Sequence, residues 1–306
     1  MTALSLVSDA QVTLGEAVSA YLDSLAPVSP LTTRKQYGSI LGRLSAALGD
    51  RDVADITGND LAAWLTAGFA DRAPATWNLS RVAVRSAWAY FTACGWTDGT
   101  VVAALAKRKV PEDRNRAIPR HVVDALLADQ RIPLRERTLW RLMVESAARE
   151  AEVLRLNAED LDMTHNRATV TRKAGAIDTI IWQSGTAMLL PRLLKGRRKG
   201  PLFLTTAKAG TGTPLADVAP DGRGRMSARQ AQALFRQHTE GQPGGPYVLH
   251  GLRHRAATDA VEQGASLPMV KALGGWENMA SVARYARPGV EALGQFQAQR
   301  DPGRRR

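Results

Sequence analysis

The chain has 306 residues, a formal net charge of +12, 44% hydrophobic residues and a single cysteine. This length suggests two domains of ordinary size; the absence of any run of eighteen apolar residues or a signal-like N-terminus points away from membranes and secretion, so a cytoplasmic protein is expected. Cys94, alone, excludes an internal disulfide and a cysteine-based zinc site, and between Phe91 and Trp96 it reads as a buried thiol.

The charge is unevenly spread. Residues 1–112 hold 10 Lys/Arg and 10 Asp/Glu, whereas residues 113–306 hold 31 and 19, so the whole excess lies in the second part. A phosphate-binding domain is expected there.

Residues 1–11 read as a leader. From Thr13 the spacing of Leu14, Val18, Tyr21, Leu22 and Leu25 predicts a helix that Pro27 and Pro30 end. Thr32 or Thr33 caps a second helix to about Leu48, with Tyr37, Ile40, Leu41 and Leu44 on one face and Arg34, Lys35 and Arg43 off it. A third helix starts near Thr57 or Asn59. A fourth, about Ala75 to Ala93, carries a Trp77, Val84, Trp88, Phe91 stripe that reads as core. Arg81 and Arg85 lie off that stripe, facing either solvent or a nucleic-acid backbone. Charged, proline-bearing Lys107 to Arg120 reads as the linker, which gives domains 1–112 and 113–306.

The second domain opens with helices, then places Arg149 three residues before Glu152. Two short β-like runs, Ala168–Thr171 and Thr179–Trp182, flank a Lys-Ala-Gly-Ala turn and predict a hairpin bearing Arg172 and Lys173. Arg192, Lys195, Arg197, Arg198 and Lys199 cluster either to track phosphates or as a solvated helix end. Residues 206–225 read as a loop. A helix with Arg229 and Arg236 follows Ser227. Further helices are expected from Arg255 to Gln263, from Ser266, and from Asn278 through Tyr285, with a last helix at Val290–Gln299 before a basic tail.

The stretch from His250 to Tyr285 concentrates chemistry suited to a phosphodiester. Arg253 offers a planar, permanently charged fork, His250 exchanges protons near neutral pH, Trp276 has an indole N–H, and Tyr285 has a hydroxyl that can attack phosphorus. His250 and His254 are spaced as a metal pair on a helix, but no third ligand is in view. There is no Gly-x-x-x-x-Gly-Lys phosphate loop. No metal and no cofactor is expected.

His250-Gly-Leu-Arg253-His254, then Gly275-Trp276, then Tyr285 nine residues on, resembles the second signature box of the tyrosine recombinases, or phage integrase family. Most members have a second His where this chain has Trp276; a minority, Cre among them, carry Trp. Arg149 with Glu152 resembles the first box. The resemblance implies an N-terminal all-α core-binding (SAM-like) domain that clamps DNA. It implies a C-terminal mixed, mainly α catalytic domain with a small β-sheet, the DNA breaking-rejoining fold. Tyr285 would be the nucleophile. Arg149 and Arg253 would clamp the phosphate, His250 and Trp276 would assist, and Glu152 would support Arg149. On the hairpin Lys173 would protonate the leaving 5′ oxygen, with Arg172 as its rival, although the usual Gly-Lys-Gly and the following basic residue are missing. By analogy Arg229 lies on the helix that reads bases. The partners implied are double-stranded DNA and a homo-tetramer on two recombination sites, with accessory DNA-bending proteins left open and association with the nucleoid expected. A monomeric topoisomerase and a catalytically silent DNA-binding regulator are the alternatives.

Overall fold

The computed structural model describes residues 11–110, 117–172, 175–283, 285 and 297–298. The chain divides into two compact units, Met1–Glu112 and Asp113–Arg306.

The first unit packs α1 (Leu14–Ser24), α2 (Leu31–Leu48), α3 (Gly58–Phe69) and α4 (Pro74–Ala93). Two helices begin with reciprocal caps. Thr13 and Glu16 close the start of α1, and Thr57 and Asp60 close the start of α3. Asp60 also pairs with Arg51, and these bonds hold its carboxyl well below the usual carboxylate range. The core gathers Leu14, Leu41, Leu44, Leu61, Leu65, Val84, Trp88 and Phe91. The tryptophan stripe of α4 is therefore core, as its spacing implies. Cys94 is half-buried rather than fully buried.

The segment expected to be the interdomain linker, Lys107 to Arg120, is in part built into this unit. Arg108 N–H donates to Asn78 Oδ1 at 2.9 Å, Asn78 Nδ2 donates back to the Arg108 carbonyl at 2.8 Å, and the Arg108 guanidinium lies 3.6 Å from the Trp77 ring centre. Charge and lack of periodicity hid this, because the contacts are polar and use a ring face. Residues 111–116 of that segment lie outside the described residues.

The second unit begins with α5 (Arg120–Ala128), α6 (Leu134–Ser146) and the short α7 (Glu150–Arg155). A three-stranded antiparallel sheet follows, β1 (Leu161–Asp162), β2 (Arg167–Thr171) and β3 (Ile177–Ile181), in the order β1-β2-β3. Ala168 and Val170 face the core while Thr169 and Thr171 face out, and the register pairs Ala168 with Ile180 and Thr171 with Ile177. Helix α8 (Ser184–Leu194) is anchored by Glu145, whose Oε2 accepts from the N–H groups of Gln183 and Thr186 at 2.9 and 3.1 Å.

The loop expected at 206–225 carries a two-stranded sheet, β4 (Leu204–Lys208) with β5 (Arg223–Arg225). These strands lack apolar alternation. The Arg225 side chain ties them down by donating to the carbonyls of Leu154 and Leu156 and to Asn157 Oδ1.

Helices α9 (Ala228–Thr239), α10 (His250–Glu262), α11 (Leu267–Gly274) and α12 (Met279–Ala283) complete the described part. Helix α10 starts at His250, five residues before the expected Arg255, because no side-chain cap marks its N-terminus. Tyr285 sits in a turn just past α12 rather than within it. The helix expected at Val290–Gln299 lies outside the described residues, apart from 297–298. Trp140, Met143, Val153, Val170, Phe203 and Phe235 belong to one continuous core. Among the described residues no helix is long and apolar enough to cross a membrane.

Candidate active site

Helix α6 is closed by Ala147, the residue just past it, whose backbone is left-handed (φ 52°). This turn sends the chain directly into α7, with Arg149 as the residue before its first turn. Glu152, one helical turn on, reaches back: Arg149 N–H donates to Glu152 Oε2 at 2.9 Å and Arg149 Nη1 to Oε1 at 2.7 Å. Glu152 is only 4% exposed, so a buried carboxylate fixes the fork. The same carboxylate lies 3.4 Å from Arg172 Nη1.

Arg172 is the first residue beyond β2, and strand alternation carries it to the buried face below Val170. Its Nε pairs with Asp178, and its Nη1 donates to the Gly274 carbonyl at 2.8 Å. Arg149 Nη2 donates to the next carbonyl, Gly275, at 3.2 Å. The two glycines that close α11 therefore bind one arginine each. Gly275 is left-handed (φ 60°), and a Cβ there would fall on the Arg172 guanidinium; a Cβ on Gly274 would fall in the Trp276 ring.

Arg253 and His254 follow His250 by three and four residues, so both share its face of α10. Arg253 is 1% exposed, and its Nη1 donates to the Ala147 carbonyl at 2.6 Å. The Trp276 ring stacks on it at 3.9 Å. Burial, and then repulsion from Arg149, pulls the Arg253 guanidinium down to about 10; Glu152 and Tyr285 act the other way and Arg172 adds to the repulsion. It remains charged at neutral pH. The Tyr285 ring lies between His254 and Trp276, at centroid distances of 5.3 and 5.5 Å. His250 is exposed and meets the buried His254 edge-on at 4.7 Å.

Arg149, Glu152, His250, Arg253, Trp276 and Tyr285 are thus brought together from three separate stretches of chain. Lys173 lies outside the described residues. The geometry adds Arg172 and His254 to the group. Each had a signal in the sequence: Arg172 by strand parity, and His254 by its place one turn from His250. Among the described residues no cluster of three metal-ligating side chains forms, and His254 turns to Tyr285 instead. The arrangement can hold an anion near the Tyr285 ring, because Arg149 and Arg172 pair with the carboxylates of Glu152 and Asp178 while Arg253, on a carbonyl and the Trp276 face, brings a third positive charge.

A model of the phage integrase family matches residues 117–291, which contain every one of these groups. The chain belongs to this family. Similar family members include Tyrosine recombinase XerC of Mycobacterium tuberculosis (strain ATCC 25177 / H37Ra), 30% identical over 275 residues that cover 85% of this chain and 89% of the relative. Tyrosine recombinase XerC of Roseiflexus sp. (strain RS-1) is 25% identical and covers 89% of each chain. Among solved structures, a lambda integrase tetramer bound to a Holliday junction superposes with a TM-score of 0.73 at 20% identity, over 92% of this chain and 79% of that one. The Tn1549 transposon integrase in complex with circular intermediate DNA gives 0.69 at 14% identity, over 94% and 99%. These integrases share the fold expected from sequence, a helical unit followed by a mainly helical unit with small antiparallel sheets.

The basic residues set aside for DNA separate into two groups. Lys35, Arg198, Lys199 and Arg229 are exposed, and Arg34 is half-buried. The other three are turned onto main-chain carbonyls. Arg81 Nε donates to Leu105 at 2.7 Å and Arg85 Nη1 to Val102 at 3.1 Å, both closing the 3₁₀ turn Gly99–Ala104 onto α4. Arg197 donates to Pro201 and Leu202 at 2.8 and 3.0 Å, and burial lowers its proton affinity.

Proposed function

We propose that this family member is a site-specific DNA recombinase that cuts and rejoins strands through a 3′-phosphotyrosyl intermediate. The carrying observation is the cluster of Arg149, Arg172 and Arg253 around Glu152, with the Tyr285 ring against Trp276. A tyrosine hydroxyl titrates near pH 10 in water and needs help to attack at neutral pH. A phosphate held by Arg149 and Arg253 has its nonbridging charge offset as the attack proceeds. The Tyr285 oxygen bonds to phosphorus while the bond from phosphorus to the 5′ oxygen breaks. That oxygen leaves as a hydroxyl, taking a proton from Lys173. A 5′ hydroxyl from a partner strand then attacks the phosphotyrosine and releases Tyr285. The bond energy is kept throughout, so no ATP is spent.

His250 donates to a nonbridging oxygen. Trp276 takes the place that a second histidine holds in most family members, and its contribution is to hold Arg253 and border Tyr285. The helical unit 1–112 clamps the duplex and unit 113–306 performs the reaction. Lys35, Arg198, Lys199 and Arg229 supply backbone contacts. The enzyme works in the cytoplasm on nucleoid DNA, as a homo-tetramer on two sites; the lambda integrase neighbour is a tetramer bound to a Holliday junction.

Covalent trapping tests this. Purified protein is mixed with nicked duplexes tiled from the DNA flanking its own gene and run on denaturing gels. A shifted DNA band that disappears in Tyr285→Phe is expected. A band that survives Tyr285→Phe would remove Tyr285 as the nucleophile.

A further inference from the structure

Arg172 departs from the family's usual Gly-Lys-Gly pattern, and its side chain reaches Glu152, Asp178 and the Gly274 carbonyl. We propose that Arg172 is a positioning residue for strand cleavage: it couples the root of the β2–β3 hairpin to the Gly274–Gly275 turn and, through Glu152, to Arg149. This rests on the reading that Tyr285 cleaves DNA.

The coupling is visible bond by bond. On the hairpin side, Arg172 N–H donates to the Ala176 carbonyl at 2.7 Å and its Nε pairs with Asp178. Asp178 pairs with Val170 in the register, so it lies diagonally opposite Arg172 on the same face. On the α11 side, Nη1 donates to the Gly274 carbonyl at 2.8 Å, and the guanidinium occupies the space where a Gly275 Cβ would stand. Between the two lies Glu152, 3.4 Å away, which also holds both the main chain and the fork of Arg149.

The Arg172 side chain is 8% exposed, so these bonds form away from competing water. Its Nη2 is fully buried and has no hydrogen-bond partner among the described residues. A buried donor left unpaired opposes folding. A guanidinium kept in such a place points to a role beyond stability. Trp276 follows the turn directly, so the Arg172 side chain sets the support of Arg253.

Two readouts test the coupling. One is the single-turnover rate of covalent-complex formation at saturating nicked duplex, taken well below the melting temperature. The other is hydrogen exchange at the Gly275 and Trp276 amides, which bond to the Ala272 and Lys271 carbonyls. Arg172→Ala is expected to slow cleavage at least about tenfold, a barrier change of about 1.4 kcal/mol, with DNA affinity essentially unchanged and both amides exchanging faster. Asp178→Asn, at a half-exposed position, should move both readouts the same way by less. Arg172→Lys should not rescue the rate, since one ammonium cannot span Glu152, Asp178 and Gly274.

A folded Arg172→Ala protein that cleaves at the wild-type rate overturns the proposal, as does unchanged exchange at both amides. If that variant does not fold, wild-type rates in both Arg172→Lys and Asp178→Asn overturn it equally. If the wild-type protein forms no Tyr285-dependent complex on any duplex, the recombinase reading falls instead, and the exchange measurement still decides the coupling.

Discussion

Arg253 holds a full charge at 1% exposure, with one carbonyl and one aromatic face for company. The Trp276 face therefore matters more here than it would on a surface, since a desolvated cation–π contact reaches about 2 kcal/mol. Trp276→Ala should slow covalent-complex formation by about 10- to 30-fold, taking 1.4 kcal/mol per factor of ten. Trp276→Phe, which keeps a ring face, should retain most of the rate. Equal rates for the two variants would mean that stacking does not hold Arg253. The lowered proton affinity of Arg253 has a second consequence. Its native value of about 10 lies below the ordinary guanidinium value, so the native state binds fewer protons above pH 10 and stability from this residue rises with pH there. At neutral pH its charge is a cost to folding, which a bound anion offsets. Inorganic phosphate should raise the melting temperature at pH 7 more than chloride at equal ionic strength, and the difference should shrink as pH passes 10.

At the scale of elements, the site is made of ends: the close of α6, the entry to α7, the root of the hairpin, the turn after α11 and the first turns of α10. The Gly274–Gly275 turn is the most demanding. Gly275→Ala must place a side chain at φ 60° and into the Arg172 guanidinium at once. We expect it to lower the unfolding free energy by about 1–3 kcal/mol, the range for strained backbone, and to reduce cleavage more than Arg172→Ala does. A denaturant midpoint and the gel assay read the two effects separately; wild-type behaviour in both would show that the turn is free to move. The same ends explain what was legible in the sequence. Helices with apolar spacing and side-chain caps, such as α1, α3 and α9, were readable to within a residue or two at their starts. The start of α10 was not, because it has no cap. The β4–β5 pair was not, because its order comes from Arg225 bonding to distant carbonyls. The residues of both boxes were readable because their chemistry is dense. From sequence Arg172 reads only as a rival to Lys173, since its partners Glu152 and Gly274 are 20 and 102 residues away.

Over the whole molecule, the +12 excess in residues 113–306 sets how the protein meets a polyanion, but formal charge does not say which side chains are available. Each phosphate neutralised on B-DNA contributes about −0.9 to the slope of log affinity against log salt. A guanidinium committed to its own main chain contributes little to that slope and more to folding. Arg81 and Arg85 close the Gly99–Ala104 turn onto α4, whereas Arg198 and Lys199 are exposed. Replacing Arg198 and Lys199 together by Ala should make the salt slope shallower by roughly one to two, with the unfolding midpoint unchanged. Replacing Arg81 and Arg85 together should lower the unfolding free energy by about 1 kcal/mol for each side-chain bond lost, and with it the midpoint, and leave the slope near its wild-type value. The opposite pattern would mean that the α4 arginines leave their carbonyls for DNA, and that the neutral unit carries backbone contacts its net charge conceals.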